Sequence, residues 1–376
     1  MVYYLGYYSC GKISKEFRIA PPPAMNKMGY IISVLSRIYD DKTLVVSPSE
    51  TSLNKYVRGG LYELDNNVSI KTFGSIHSKN KIIRGIGHML TKLQMQKFLM
   101  DNITSNDTLI VYHSLFLMKI VKKIKRLKKC RLIIEVEELY SDVKNDESLR
   151  KKELDYLQIA DKYIMITELL NKEVNLQNKP RIISHGTYKT IQKYCEKIDD
   201  GKLHIVYAGS FNPIKGGACS AIDAAEFLDE NFVMHILGKG TPADTEFVTK
   251  RIEQVSKKTS CCISFDGYKT GTEFDSFIQS CHIGLSTQQP DGKYNASSFP
   301  SKVLMYMSNG LPVVSVRIPA VATSKVGDIV YYYDVPSPQK IAEAIKSVPL
   351  KNDSYVREKL DALDEAFEKD FRDLLV

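Results

Sequence analysis

The stretch from Asn295 to Pro319 has the residue types that bind an anionic ligand. Small polar residues, Phe299 and Pro300 lead into a short apolar helix pattern at 303–307, and Gly310 ends that helix before a buried strand. A helix that begins at Pro300 or Ser301 directs unpaired N–H groups and the positive end of its dipole into the preceding loop. With Lys302 beside it, this loop suits a phosphate. An ordinary capped helix inside an α/β domain is the alternative interpretation.

Three glycine-rich or polar loops, the last of which overlaps this stretch, are predicted to follow strands in the same half of the chain. They are Gly209–Gly217, Gly238–Gly240 and Thr287–Pro300. The first opens a helix and carries Lys215, which is well placed for a diphosphate. Glycine after a strand is common in α/β proteins, so each loop by itself is a weak signal.

The first half of the chain carries candidate acid–base residues. His113 follows a predicted strand at 108–112, where it either contacts a sugar or acceptor hydroxyl or serves as a structural hydrogen-bonder. By strand alternation Glu135 and Glu137 share one face. Glu137 or Glu138 is a candidate base for the acceptor, and a capping role in the following turn is an equally supported alternative. His185, in a Ser-His-Gly segment, is expected to line a crevice.

Strand and helix patterns alternate throughout, which predicts an α/β protein with parallel sheets covered by helices on both faces. A polar segment between Gly186 and Gly201 predicts a linker. We therefore expect two doubly wound, Rossmann-like domains, residues 1–198 and 199–352. The amphipathic helix 353–376 is expected to pack back on the first domain. Ligands of such folds bind at the carboxyl ends of the strands, which predicts a crevice between the two domains.

The composition is that of an ordinary soluble globular protein, with 376 residues, 43% hydrophobic and 26% charged. The N-terminus lacks a basic n-region, and no apolar run is long enough to cross a membrane, so we expect neither a signal peptide nor a span. Seven cysteines show no CxxC spacing, which predicts a reduced, cytoplasmic protein. No metal-ligand pattern and no Asp-x-Asp are present in the sequence, so we expect no metal and no cofactor.

The net charge of +8 is concentrated before residue 135. Basic residues cluster at Lys79–Lys97 and Lys119–Arg131, and the second cluster interleaves them with apolar residues at helical spacing. These clusters are either solvated helix faces or contacts with an anionic partner. A nucleic acid is disfavoured because aromatic residues are not interleaved with the basic ones.

The ordered set of segments in the second half resembles a known family. The segments are YAGSFNPIKGG (207–217), HILGKG (235–240), FDGY (265–268), HIGLSTQ (282–288) and SSFPSKVLMYMSNGLPVVS (297–315). They are similar to the nucleotide-sugar-binding segments of the group 1 glycosyltransferases, family 4, which have the two-domain GT-B architecture. The resemblance is strong over the second domain. It is weak over the first, where YHS, ADKYIMIT and RIISHG carry it.

The resemblance implies roles for particular residues. Lys215 would contact phosphate, Gly238 would let the nucleotide approach the backbone, and Gly267 with Tyr268 would pack on the base. The loop Ser297–Lys302 would hold the diphosphate and sugar. The donor-binding residues implied are Gly209, Ser210, Lys215, Gly216, Gly238, Lys239, Tyr268, Ser297, Ser298, Phe299, Pro300, Ser301 and Lys302. Asn26, Lys27 and His185 are expected on the acceptor side, and the basic segment Lys119–Arg131 would dock peripherally on a membrane.

The chain departs from the family pattern at three positions. Ser210 stands where the family usually has an arginine, and Ser297 and Met305 stand where it usually has two glutamates. Either the chain belongs to a divergent active branch, or the fold has become a non-catalytic sugar- or nucleotide-binding scaffold. The resemblance of the SFPSK stretch favours a metal-independent hexosyltransferase of bacterial surface polysaccharide (capsule or lipopolysaccharide) assembly. Its donor would be a nucleotide diphosphate sugar, with a UDP-sugar as the preferred candidate. Its acceptor would be a saccharide or lipid-linked saccharide.

Overall fold

The computed structural model of the chain describes residues 1–212, 216–290, 297–349 and 354–376. By its internal contacts the chain divides into two units. The first comprises Met1–Ser184 with Ala366–Val376, and the second comprises His185–Glu365. Each unit is built on one large sheet with helices between the strands.

The sheet of the first unit has eight strands in the order β10-β9-β8-β7-β1-β2-β5-β4. All neighbours are parallel except β4 and β5, which form an antiparallel pair at one edge. A separate antiparallel pair joins β3 to β6. The strands are β1 (Val2–Leu5), β2 (Thr43–Val46), β3 (Tyr56–Val57), β4 (Leu61–Asp65), β5 (Val68–Lys71), β6 (Ser75–Ile76), β7 (Thr108–Tyr112), β8 (Arg131–Val136), β9 (Lys162–Met165) and β10 (Arg181–Ile183).

Helices bury both faces of the central strands of this unit, so β1 and β2 are buried at every position. The helices are α1 (Pro22–Ile38), α2 (Lys81–Asn102), α3 (Met118–Lys128), α4 (Tyr140–Lys144), α5 (Glu147–Leu157) and α6 (Glu168–Val174). A 3-10 helix, Gly11–Glu16, precedes α1.

The sheet of the second unit has six parallel strands in the order β13-β12-β11-β14-β15-β16. The strands are β11 (Leu203–Ser210), β12 (Phe232–Lys239), β13 (Cys262–Gly267), β14 (Ile283–Ser286), β15 (Val313–Val316) and β16 (Val330–Tyr333). Counted within the unit this order is 3-2-1-4-5-6, that of a dinucleotide-binding fold. The connections reverse direction between β11 and β14, which is the topological switch point of the sheet.

The helices of the second unit alternate with these strands. They are α7 (Gly217–Ala224), α8 (Pro242–Ser256), α9 (Gly271–Ser280), α10 (Ser301–Ser308), α11 (Pro319–Ala322) and α12 (Pro338–Lys346), followed by α13 (Ser354–Leu375). The two doubly wound α/β sheets predicted from the sequence are therefore confirmed. Among the described residues no helix is both long and apolar enough to cross a bilayer.

Residues 185–198 lie in the second unit, whereas the sequence placed the domain boundary at 198. This segment has no regular secondary structure, but backbone hydrogen bonds hold it to its own unit. The N–H of Ile191 donates to the Ser308 carbonyl at 2.8 Å, and the N–H of Ile198 donates to the Ser280 carbonyl at 2.9 Å. A polar composition fits both a linker and a segment without regular secondary structure that is held by backbone hydrogen bonds.

Helix α13 is divided between the units at Ala366. Its final turns pack on the first unit, where the Phe367 ring stacks on Tyr30 with centroids 5.4 Å apart. The Lys162 ammonium donates to the Leu374 carbonyl at 2.7 Å. In the second unit, Arg357 of the same helix donates to the Ile191 carbonyl at 2.8 Å.

The ends of β11 and β12 approach so closely that Gly238 tolerates no side chain. Gly238 pairs with Gly209 in the sheet and has φ +148°, and a Cβ on it would overlap the Gly209 carbonyl oxygen. We predict that Gly238→Ala lowers the free energy of unfolding by at least about 3 kcal/mol, since it combines backbone strain with a backbone clash.

The matched control is Gly271→Ala, where φ is +58° and nothing lies within 4 Å of an added Cβ. Strain alone is expected to cost about 1 kcal/mol there. Because the chain contains no tryptophan, urea unfolding followed by circular dichroism is the appropriate measurement. Equal losses in the two variants would contradict the close approach.

Candidate active site

The switch point of the second unit is where this fold binds ligands. The loops that follow β11 and β14 flank it, and each leads into a helix of eight residues, α7 and α10. Pro213, Ile214, Lys215 and residues 291–296 lie outside the described residues, so the predicted phosphate contact of Lys215 stays a prediction. The described parts of both loops still define the edge of the site.

Lys302, in the first turn of α10, places a positive charge at the end of β11. Its ammonium lies 3.9 Å from the centroid of the Tyr207 ring. A Cβ on Gly209 would collide with this ammonium, so the side chain crosses directly over the Gly209 backbone. The sequence predicted both residues in the donor site, and the structure brings them together.

Helix α10 is held in this position by Tyr306, one turn after Lys302. The Tyr306 hydroxyl accepts the N–H of Ala208 at 2.7 Å. Its ring occupies the space that a side chain at Gly284 would need. Sequence reasoning missed this contact because Tyr306 reads simply as an apolar helix position.

The helices that start at the switch point begin with residues that have no capping side chain. Gly216 precedes α7 and Pro300 precedes α10. By contrast, Thr241 forms a capping box at the start of α8, and Ser337 caps α12. A ligand anion can take the place of the missing cap, because helix N-termini attract negative charge.

The other predicted donor residues are spread along the same strand ends. Lys239 is the last residue of β12 and Tyr268 follows β13. The Lys239 ammonium lies 4.0 Å from the centroid of the exposed Tyr268 ring. Ser210 and Ser301 are exposed, Ser298 and Pro300 are half-buried, and Ser297 is buried. A cation over an exposed ring presents an apolar face and a charge side by side.

Phe299 and His185 pack on each other within the second unit. Their rings stack with centroids 5.0 Å apart at 24°. The His185 Nε2 accepts the N–H of Lys325 at 3.0 Å, which fixes Nε2 as the unprotonated nitrogen. The sequence predicted His185 on the acceptor side of the first domain, and the structure instead places it, buried, in the second unit.

In the first unit the corresponding switch point lies between β1 and β7, and His113 directly follows β7. Its side chain is only 2% exposed, and its Nε2 lies 2.7 Å from Glu153 Oε1. Glu153 also accepts the N–H groups of Tyr140 and Ser141, both at 2.9 Å. This buried pair ties three chain segments together, which favours the structural role of His113 over direct contact with a substrate.

Lys27 and Glu137 meet close to the end of β8. The Lys27 ammonium donates to the Ser184 carbonyl at 2.6 Å and to its hydroxyl at 2.8 Å, and it lies 3.5 Å from Glu137 Oε1. Glu137 keeps 21% of its side chain exposed. The neighbouring Asn26 is exposed and Glu138 is half-buried. Of the predicted base candidates, Glu137 thus combines solvent access with a charged partner.

Glu135 lies behind this pair and is completely buried. The Tyr4 hydroxyl donates to its Oε2, and its Oε1 has no hydrogen-bond partner. Burial raises the pKa of Glu135 to about 8, against the opposing effect of the Lys27 charge and with a further rise from Glu137. Burial also raises the pKa of Glu137, again opposed by Lys27. The sequence predicted the shared face of the two carboxyls but not the tyrosine and lysine that hold them.

The second half of the chain matches the family model for glycosyl transferases group 1, over residues 202–348. Residues 202–348 are a glycosyltransferase group 1 domain. The predicted resemblance to group 1 glycosyltransferases is confirmed for this domain, and the chain carries a glycosyltransferase domain. Every donor-side residue described above, from Tyr207 to Lys302, lies within this group 1 domain.

Solved structures of trehalose-phosphate enzymes are similar to the glycosyltransferase over its whole length. The trehalose-6-phosphate structure from E. coli bound with UDP-2-fluoro glucose is 10% identical, and the match covers 99% of this chain and 98% of that chain with a TM-score of 0.66. The α,α-trehalose 6-phosphate synthase from Burkholderia multivorans is 10% identical, with 100% of this chain and 95% of that chain covered and a TM-score of 0.66. The UDP-forming α,α-trehalose-phosphate synthase from Burkholderia xenovorans in complex with glucose-6-phosphate is 11% identical, with 100% of this chain and 98% of that chain covered and a TM-score of 0.64. This likeness shows the fold, GT-B with two Rossmann-like domains. Among curated protein sequences, none matches this chain.

The raised pKa of Glu135 predicts a pH-dependent stability. Between its ordinary pKa of 4.5 and its folded pKa of about 8, the unfolded chain releases this proton while the folded chain keeps it. Unfolding is therefore favoured as the pH rises, with a slope of up to about 1.4 kcal/mol per pH unit. Glu135→Gln, which keeps an acceptor for Tyr4, should flatten the dependence between pH about 5 and 8.

The measurement is urea unfolding of both proteins across this range. The control is Glu246→Gln, because Glu246 is an exposed partner of Lys250 on α8. Its loss should leave the slope unchanged. Parallel pH curves for wild type and Glu135→Gln would show that Glu135 is ionised in the folded protein.

Proposed function

We propose that this glycosyltransferase moves a hexose from a nucleotide diphosphate sugar to a saccharide acceptor. The observation that carries the proposal is the position of Lys302. Its ammonium lies over Gly209 at the switch point, beside two helices whose first residues offer no capping side chain. This arrangement suits a diphosphate, which carries two adjacent negative groups.

Transfer of a sugar leaves a nucleoside diphosphate that gains negative charge as the glycosidic bond breaks. Fixed N–H groups, helix dipoles and Lys302 stabilise that charge without reorganising. Lys215 is expected to add a second positive charge from the loop after β11. The loop Ser297–Lys302 would hold the diphosphate and the sugar through its amides and serine hydroxyls, which makes the reaction metal-independent.

UDP is the nucleotide that we propose first. The similar E. coli structure holds UDP-2-fluoro glucose, although its sequence identity of 10% supports only the fold. The exposed Tyr268, with the Lys239 ammonium at its face, offers the surface on which a base would stack. Gly209 lets the Lys302 side chain approach its backbone, and Gly238 lets the ends of β11 and β12 lie close together.

We place the acceptor at the strand ends of the first unit, with Glu137 as the base and Asn26, Lys27 and Glu138 as neighbours. The Lys27 charge is already paired with Glu137, which favours a neutral saccharide hydroxyl over a sugar phosphate. His113 would act here as a positioning residue through Glu153. A saccharide or lipid-linked saccharide of bacterial surface polysaccharide assembly, in the cytoplasm, fits this acceptor class.

The membrane contact predicted for Lys119–Arg131 can use only part of that segment. Ile120, Val121 and Ile124 of α3 are buried against the first unit, so the apolar side of the helix is already occupied. The exposed lysines of α3 remain available for a purely electrostatic contact.

Binding of nucleotides to the intact chain tests the donor site. UDP, GDP, ADP and CMP, and then the sugars of the nucleotide that binds, are titrated by calorimetry and thermal shift. We predict that Lys302→Met weakens binding of the preferred nucleotide by about tenfold or more, since it removes a charge-assisted contact while keeping side-chain bulk. Lys250→Met is the matched control, because Lys250 is an exposed α8 lysine paired only with Glu246.

Equal nucleotide affinity in Lys302→Met and wild type would remove Lys302 from the donor site. If no nucleotide binds the wild-type chain at millimolar concentration, the donor-site proposal itself fails. Release of nucleoside diphosphate in the presence of saccharides then tests catalysis. Tight donor binding without hydrolysis or transfer would favour the non-catalytic scaffold.

A further inference from the structure

Helix α2 uses a narrow face to pack on the first unit. The buried residues of this face are Gly87, Thr91, Met95 and Leu99, spaced four apart. The Thr91 hydroxyl donates to the Gly74 carbonyl at 3.0 Å, and a Cβ on Gly87 would lie 2.6 Å from the Ile76 carbonyl oxygen. These contacts fix the rotation of the helix about its own axis.

The opposite face of α2 carries a second apolar stripe that is open to solvent. Ile82 is 74% exposed, Ile86 61%, Met89 63% and Leu93 52%. At about 100° per residue, the centre of this stripe lies about 170° from the centre of the buried face. Four large aliphatic side chains on consecutive turns form a continuous ridge, unlike the scattered exposed residues that are ordinary on protein surfaces.

The helix that carries this stripe is strongly basic. Residues 79–100 contain no Asp or Glu and contain the five cations Lys79, Lys81, Arg84, Lys92 and Lys97. Acidic partners come from outside this segment, with Asp101 pairing with Lys97 and Glu50 with His88. Helix α3, which packs against α2, adds further exposed lysines. The surface that the stripe contacts must therefore be both apolar and anionic.

We infer that α2 lies on an anionic lipid bilayer, with Ile82, Ile86, Met89 and Leu93 inserted among the headgroups and the lysines at the phosphates. An amphipathic helix with aliphatic residues on one face and lysines at its flanks has the features of an interfacial helix. A second copy of the chain fits less well, because a twofold interface would place one basic α2 helix against another. The stripe differs from the apolar side of α3, where Ile120, Val121 and Ile124 are buried.

Co-sedimentation of the full chain with vesicles tests this inference. One set of vesicles is phosphatidylcholine alone, and the other also contains phosphatidylglycerol. We expect binding to the anionic vesicles and, for the variant Ile86→Ser/Met89→Ser, a loss of about tenfold or more in affinity. Lys81→Gln/Lys92→Gln should lower binding to the anionic vesicles and leave the other properties of the chain unchanged.

The matched control is Phe247→Ser, which changes an exposed apolar residue of the second unit. Circular dichroism checks that each variant is folded, and nucleotide binding without vesicles should stay at the wild-type level. Failure of the lipid experiment is therefore distinguishable from failure of the donor site.

Three results would overturn the inference. The first is no sedimentation of wild type with anionic vesicles, and the second is equal binding of wild type and Ile86→Ser/Met89→Ser. The third is a wild-type dimer in light scattering that becomes a monomer in that variant, since a second copy would then cover the stripe.

Discussion

The Tyr306 hydroxyl accepts the Ala208 N–H at 2.7 Å, and its ring packs on the backbone of Gly284. This one side chain joins α10 to both strands of the switch point, β11 and β14. Lys302 lies one turn earlier on the same helix, so the contacts of Tyr306 that fix α10 also fix the position of the Lys302 ammonium over Gly209. The donor-side geometry of the second unit depends on this completely buried tyrosine.

The polar groups at the strand ends of the first unit are organised differently. Titratable side chains are paired there, His113 with Glu153 and Lys27 with Glu137. A buried charge is tolerated only when it is paired or neutralised, and Glu135 is kept protonated beside Tyr4 instead. This network leaves Glu137 with access to solvent, which makes it the member that can contact an acceptor.

Helices α2 and α3 show that amphipathic patterns of the same kind can serve opposite purposes. Both are basic and both carry aliphatic residues at helical spacing. Ile120, Val121 and Ile124 of α3 are buried, whereas Ile82, Ile86, Met89 and Leu93 of α2 are exposed on the side opposite its buried face. The membrane contact that we infer therefore falls on the helix whose stripe of Ile82, Ile86, Met89 and Leu93 is exposed.

Local sequence patterns were enough to predict the alternation of strands and helices, the two doubly wound sheets and the group 1 segments. These features follow from local periodicity and from glycines at strand ends, as Gly209 and Gly238 show. It could not place the boundary at Ser184, the burial of His185 or the partners of Glu135 and His113. These depend on contacts between residues far apart in the chain, such as Glu153 with His113 and Tyr4 with Glu135. These contacts could be read only from the folded chain, because local patterns show which residues are apolar but not which partner covers each of them.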